Sequence, residues 1–72
     1  MPDYYEIIIK GCLDQGWSTW FDGLSLSHLK NKEVTMLAGY IPDQAALHGI
    51  LERIRDLNME LISVSNKGPN PN

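Results

Sequence analysis

The chain has 72 residues, of which 43% are hydrophobic and 21% charged, a composition typical of one small globular domain. Its single cysteine excludes an internal disulfide, and no apolar run approaches the roughly 18 residues that a membrane-spanning helix needs. The net charge of −3 argues against nucleic-acid binding, and we expect no signal peptide and a reducing, cytoplasmic location.

The first predicted element is a strand over residues 4–11, where β-branched and aromatic residues dominate. Side chains alternate between the two faces of a strand, and one face is apolar: Tyr5, Ile7 and Ile9. The other face is more polar: Tyr4, Glu6, Ile8 and Lys10. This alternation predicts a sheet with one covered face and one wetter face.

A short helix is predicted next. It would begin at Asp14, a suitable N-cap residue, and end at Asp22-Gly23. At about 100° per residue, its apolar side chains fall within one arc of roughly 100°: Leu13, Trp17, Trp20 and Phe21. Two helical turns are marginal in isolation, so contacts of the aromatic rings would have to stabilise this helix.

A hairpin is predicted over residues 24–41. Residues 24–28 alternate strictly between apolar and polar, which is typical of a half-buried strand. Residues 29–33 are mostly polar and include Asn31, which favours a turn. Residues 34–41 are mostly apolar on both faces and predict a central strand, in which Gly39 indicates a bulge or a close approach of the short helix.

The last third of the chain predicts a helix and a strand. Asp43 is a natural N-cap, and Asn58 a left-handed C-cap. The apolar residues between them have amphipathic spacing: Leu47, Ile50, Leu51, Ile54 and Leu57. Residues 59–65 predict the last strand. The domain would therefore span residues 1–65, and residues 66–72, without an apolar anchor, would form a disordered tail.

The order of these elements predicts an α+β fold of the ferredoxin-like βαββαβ type. Such a sandwich has a four-stranded antiparallel sheet, with the first and third strands central and two helices on one face. The other face would stay open. Tyr4, Ile8 and one face of the third strand would there form a patch suited to self-association or to a partner.

Two motifs resemble those of a family of short, uncharacterised prokaryotic proteins: WSTWF at residues 17–21, of the form WSxWF, and DQAALHG at residues 43–49. The resemblance covers most of the chain and implies no established activity, so it transfers no catalytic residue. More loosely, the layout is similar to small regulatory domains of the ACT type, which bind a ligand at a glycine in the first strand–helix turn. Gly11 or Gly16 would be the counterpart, although a shared layout does not carry function.

His48 lies at the edge of the apolar stripe of the second predicted helix, with Glu52 one turn later. A His–Glu pair can act as a base and its orienting partner, but no motif places a nucleophile beside it. We therefore interpret His48 as a structural residue at the boundary of the apolar stripe, and we expect that the protein is not an enzyme. His28 and His48 lack the spacing of metal ligands, so no metal or other cofactor is expected.

Gly49 costs about 1 kcal/mol relative to alanine inside a helix. With Ala45 one turn earlier, it forms a small-residue site on the outer face that another chain could approach; the alternative is a tolerated glycine with nothing against it. Trp17 and Trp20 would pack between helix and sheet, or else line a ligand groove. The candidate binding residues are Trp17, Trp20, Ala45, His48 and Gly49.

These observations predict a small, non-catalytic binding or interaction module. It would form a homodimer or bind a small protein partner, and would bind neither nucleic acid nor membrane. Two alternatives stay open: an ACT-like sensor of small ligands with its site between Gly11 and Trp17, and an enzyme that uses His48.

Overall fold

The computed structural model describes residues 2–21, 23–29 and 33–70. The elements follow in the order β1 (Asp3–Lys10), a single 3-10 turn (Gln15–Trp17), β2 (Ser25–His28), β3 (Val34–Ile41), α1 (Gln44–Asp56) and β4 (Leu61–Asn66). The strands form one antiparallel sheet in the order β2-β3-β1-β4, so β1 and β3 are central, as the sequence indicated. The fold is a small α+β domain.

The predicted two-helix, ferredoxin-like sandwich is wrong, because α1 is the only α-helix in the part of the chain that the structure describes. The stretch that follows Asp14 contains only the 3-10 turn Gln15–Trp17, capped by a bond from the Gly16 N–H to the Asp14 carboxylate, and then irregular turns. Gly16 and the aromatic and hydroxyl-bearing residues after it have low helix propensity, and so short a helix cannot offset that. Asp22 lies outside the described residues.

The connection between β1 and β2, which we call the loop, is held by hydrogen bonds from side chains of β2 and β3. Thr35, fully buried on β3, accepts a hydrogen bond from the Leu13 N–H (3.1 Å) and donates one to the Gly11 carbonyl (2.7 Å). His28 Nε2 lies 2.7 Å from the Leu13 carbonyl oxygen. Because a carbonyl oxygen only accepts, Nε2 carries the proton. The loop is therefore fixed by side-chain hydrogen bonds from the sheet.

One face of the sheet carries the core. Tyr5, Ile7 and Ile9 of β1 point to this face, as predicted, and lie beside the buried β3 residue Leu37. Helix α1 and the loop before β2 cover them. The core cluster consists of Tyr5, Ile7, Ile9, Leu13, Phe21, Leu24, Leu26, Leu37, Ile41, Leu47, Ile50 and Ile54.

The predicted N-cap of α1 is confirmed, whereas the C-cap is Leu57, one residue before the predicted Asn58. The Asp43 carboxylate accepts a hydrogen bond from the Ala46 N–H (2.8 Å), the usual role of an N-cap side chain. Asn58, beyond the other end, has a φ of 59°, in the left-handed region that ends many helices.

Pairing of β1 with the C-terminal strand extends past the predicted domain boundary at residue 65. β4 ends at Asn66, and beyond it the Lys67 N–H donates to the Tyr4 carbonyl (2.7 Å) and the Tyr4 N–H donates to the Gly68 carbonyl (2.8 Å). Residues 30–32 of the predicted hairpin turn and residues 71–72 of the predicted tail lie outside the described residues.

Candidate functional site

The sheet face opposite the core is the candidate site, which we call the open face. Directly paired residues of an antiparallel sheet share a face, so the register defines its members. In the central strands they are Tyr4, Glu6, Ile8, Lys10, Val34, Met36, Ala38 and Tyr40. Serines flank them on the outer strands: Ser25, Ser27, Ser63 and Ser65.

The centre of the open face is apolar. Ile8 lies directly opposite Met36, and Tyr4 lies opposite Tyr40. The two tyrosine rings make an edge-to-face contact with centroids 5.1 Å apart, yet 53% of Tyr40 stays exposed. Apolar and aromatic side chains grouped on the uncovered side of so small a domain are typical of an interaction surface.

Opposite charges flank this apolar centre on β1. Glu6 and Lys10 lie on the open face at equal distances along the strand from Ile8. Lys67 Nζ is 3.8 Å from Glu6 Oε1, with both side chains substantially exposed, so this ion pair contributes little to stability. On β1 the open face therefore carries Glu6 and Lys10 symmetrically about Ile8, and the Lys67 ammonium lies beside Glu6.

The two predicted tryptophans lie together in the loop. Their rings make an edge-to-face contact with centroids 6.3 Å apart. Trp17 packs against the core, whereas 45% of Trp20 is exposed and its carbonyl accepts a hydrogen bond from the Arg53 guanidinium (2.9 Å). The loop thus joins α1 through Trp20, and a binding role for the pair stays a prediction.

The other three candidates lie on α1. Ala45 and His48 are exposed, and an added Cβ at Gly49 would meet no atom within 4 Å. His48 borders a shallow depression of about 360 Å³ together with Leu51, Glu52 and Arg55. The residues that line this depression all belong to α1, and the role of these three candidates in binding also stays a prediction.

The glycines suggested by the ACT-type layout are accounted for by local packing. Gly11 has a φ of 114°, and an added Cβ would lie 2.6 Å from the terminal methyl of Met59. A Cβ at Gly16 would lie 3.1 Å from the Asp14 carboxylate that caps the turn. Gly11 is therefore favoured by its positive φ and by Met59, and a side chain at Gly16 would crowd the capping carboxylate, both for reasons internal to the fold.

Sequence reasoning missed one exposed apolar surface, the outer strand β4. Leu61, Ile62 and Val64 are between 38% and 49% exposed. The available signal was an edge-strand sequence without a charge or a proline, but strand order is needed to recognise an edge.

In the part of the chain that the structure describes, no three His, Cys, Asp or Glu residues are grouped so that they could hold a metal ion. No helix among the described residues is long and apolar enough to cross a membrane.

A family model described as a domain of unknown function (DUF8691) matches residues 4–65. The chain belongs to this family. Neither the curated proteins nor the solved structures gave a match. Membership agrees with the resemblance to an uncharacterised family, whereas the WSxWF and DQAALHG motifs as its signatures stay a prediction and the ACT-type layout is not confirmed.

Proposed function

We propose that the domain is a non-catalytic interaction module that self-associates by packing the open faces of two copies together. The observation that carries this proposal is the apolar centre of the open face, formed by Tyr4, Ile8, Met36 and Tyr40. Two sheets packed about 10 Å apart bury both inner faces. A domain of this size has a thin core, so a shared second core would stabilise it.

The charges of the open face favour a second copy as the partner. A two-fold axis along the row of Met36 and Ile8 sets each of these residues against its own equivalent. The same axis sets Glu6 of one copy against Lys10 of the other, and Lys10 against Glu6. Opposed unlike charges favour this register, and shifted registers lose them.

The experiment is a measurement of molar mass by light scattering on the wild type and Met36→Lys. The lysine would place two like charges beside the axis, in the centre of the apolar contact. Leaving charges desolvated there costs several kcal/mol, so we expect the dissociation constant to rise at least about 100-fold. Met36→Leu, which keeps an apolar side chain of similar volume, should associate as the wild type does.

His48→Lys is the matched control, since it introduces a lysine at an exposed position of α1. We expect it to keep the wild-type mass, and circular dichroism should show every variant folded. A wild type that stays monomeric, or a Met36→Lys variant with the wild-type mass, would refute association through the open face.

A binding role without catalysis agrees with the positions of the side chains that could otherwise take part in catalysis. His28 holds the Leu13 carbonyl, the Thr35 hydroxyl holds the loop, and His48 projects from α1 on the covered side of the sheet. The free, exposed thiol of Cys12 suits a reducing compartment, and we propose the cytoplasm, which cell fractionation can test.

A further inference from the structure

A cleft of about 300 Å³ lies at the end of the sheet where β1 begins and β3 passes into α1, and we call it the Tyr5 cleft. Two residues of β1 and the four residues from the end of β3 to the start of α1 line it: Asp3, Tyr5, Ile41, Pro42, Asp43 and Gln44. Binding sites for small molecules start at roughly this volume. Because the Tyr5 side chain belongs to the core, the cleft lies on the covered side of the sheet, away from the open face.

The Tyr5 hydroxyl is a buried polar group that lines this cleft, since only 6% of Tyr5 is exposed. Its oxygen accepts hydrogen bonds from the side-chain amides of Asn66 (3.2 Å) and Gln44 (3.3 Å). The Asn66 carbonyl oxygen in turn accepts from the Gly68 N–H (2.7 Å), which holds the Asn66 nitrogen toward Tyr5. Because an amide N–H only donates, the hydroxyl proton of Tyr5 has no acceptor among the described residues.

Two carboxylates line the same cleft, and each uses one oxygen within the fold. Asp3 Oδ2 accepts from the Asn66 amide (3.0 Å), and Asp43 Oδ1 accepts from the Ala46 N–H at the start of α1 (2.8 Å). In the described part of the chain, neither carboxylate forms an ion pair, and no hydrogen bond reaches the second oxygen of either. The cleft therefore combines two negatively charged acceptors with one buried donor.

We propose that the Tyr5 cleft binds a free α-amino group together with the carbonyl oxygen beside it, as in a peptide N-terminus or an amino-acid amide. The ammonium donates hydrogen bonds to Asp3 and Asp43, and its positive charge offsets theirs. The adjacent carbonyl oxygen accepts the Tyr5 hydroxyl proton, for which the described residues provide no acceptor. This inference goes beyond the proposed open-face contact and does not depend on it.

Other classes of ligand fit these groups less well. A calcium ion takes about six to eight oxygen ligands and gives the Tyr5 proton no acceptor. An anion is repelled by both aspartates, and so is the carboxylate of a free amino acid, which favours an amide or a peptide. An apolar ligand would leave the carboxylates and the hydroxyl without partners, which costs binding free energy.

The test is a titration with glycinamide, monitored by the NMR signals of the Gln44 and Asn66 side-chain amides. Glycinamide carries both groups and few other atoms, so we expect saturable binding with a dissociation constant on the order of 1–10 mM. N-acetylglycinamide lacks the ammonium and ethylamine lacks the carbonyl, and each should bind at least about fivefold more weakly. Tighter binding of triglycine amide than of glycinamide would identify a peptide N-terminus as the source, and weaker binding an amino-acid amide.

Substitutions that preserve the fold locate the ligand. Asp43→Asn removes a charge from the cleft and keeps the helix cap, because asparagine caps a helix as well as aspartate does. We expect it to weaken glycinamide binding about tenfold, and Tyr5→Phe, which removes the hydroxyl, to weaken it about fivefold. Asp14→Asn is the matched control, since Asp14 caps the 3-10 turn and does not line the cleft, and it should bind as the wild type does.

Three results would overturn the proposal: no saturable binding of glycinamide, wild-type affinity in Asp43→Asn, or equal binding of N-acetylglycinamide. Displacement of glycinamide by calcium chloride at a lower concentration than its own would reassign the cleft to a divalent cation. Molar mass measured on the same samples separates this proposal from the open-face contact. A monomer that binds glycinamide would keep the ligand site and refute self-association, and an oligomer that does not bind it would do the reverse.

Discussion

At the scale of single residues, the Thr35 hydroxyl is central to the structure because it holds the loop backbone through two hydrogen bonds. It is fully buried and links the Leu13 N–H and the Gly11 carbonyl. Thr35→Val keeps the shape and removes the hydroxyl, which leaves both backbone groups without this partner. We expect the free energy of unfolding to fall by about 1–3 kcal/mol in urea titrations, and Thr35→Ser to lose less. A Thr35→Val variant as stable as the wild type would refute this role.

The hydrogen bonds of Thr35 could not be predicted from the residues near it in the sequence. The two hydrogen bonds of Thr35 join residues 22 and 24 positions apart, and the contact of His28 with Leu13 spans 15 positions. Periodicity identifies which face of a strand is buried, but not which distant backbone group a buried hydroxyl meets. Thr35 therefore read as one more residue of a central strand.

At the scale of elements, the outer face of α1 yields a prediction about Gly49. Because nothing lies within 4 Å of an added Cβ, Gly49→Ala should raise the free energy of unfolding by about 0.5–1 kcal/mol, through reduced backbone entropy of the unfolded chain. Thermal unfolding measures this gain, and light scattering should show an unchanged molar mass. A loss of mass would instead indicate that another chain packs on Ala45 and Gly49.

The strands and the long helix were predictable because burial gives them a strong periodic pattern. The strand Val34–Ile41 has the bounds predicted for it, and α1 begins after its predicted cap, Asp43. Gly39 was expected at a bulge or at a close approach of the short helix. The close approach is instead to the start of the hairpin, where an added Cβ would lie 2.8 Å from Leu24 Cδ2.

The predicted first helix failed for a physical reason. Aromatic residues at helical spacing favoured a helix, but the same residues anchor an irregular loop equally well. In the loop Phe21 is fully buried and Trp20 is 45% exposed, so these neighbours on the predicted helix face have different environments. Local propensity and the hydrogen bonds from β2 and β3 decided the outcome.

At the scale of the whole molecule, α1 and the loop cover one side of the sheet, and no described element covers the other. The sequence indicated this asymmetry through the alternation in β1, and it placed Tyr4 and Ile8 on the open face. It could not show that β4 is an edge strand, because that depends on the strand order.

Association through the open face is tested most directly by isotope-filtered NMR on an equal mixture of methyl-labelled and unlabelled protein. Nuclear Overhauser effects between differently labelled copies arise only across an interface. We predict such effects among the methyl groups of Ile8 and Met36, which lie at the proposed axis. Their absence from both residues at a concentration where the protein is oligomeric, or their restriction to α1 residues such as Leu51, would contradict the proposed interface.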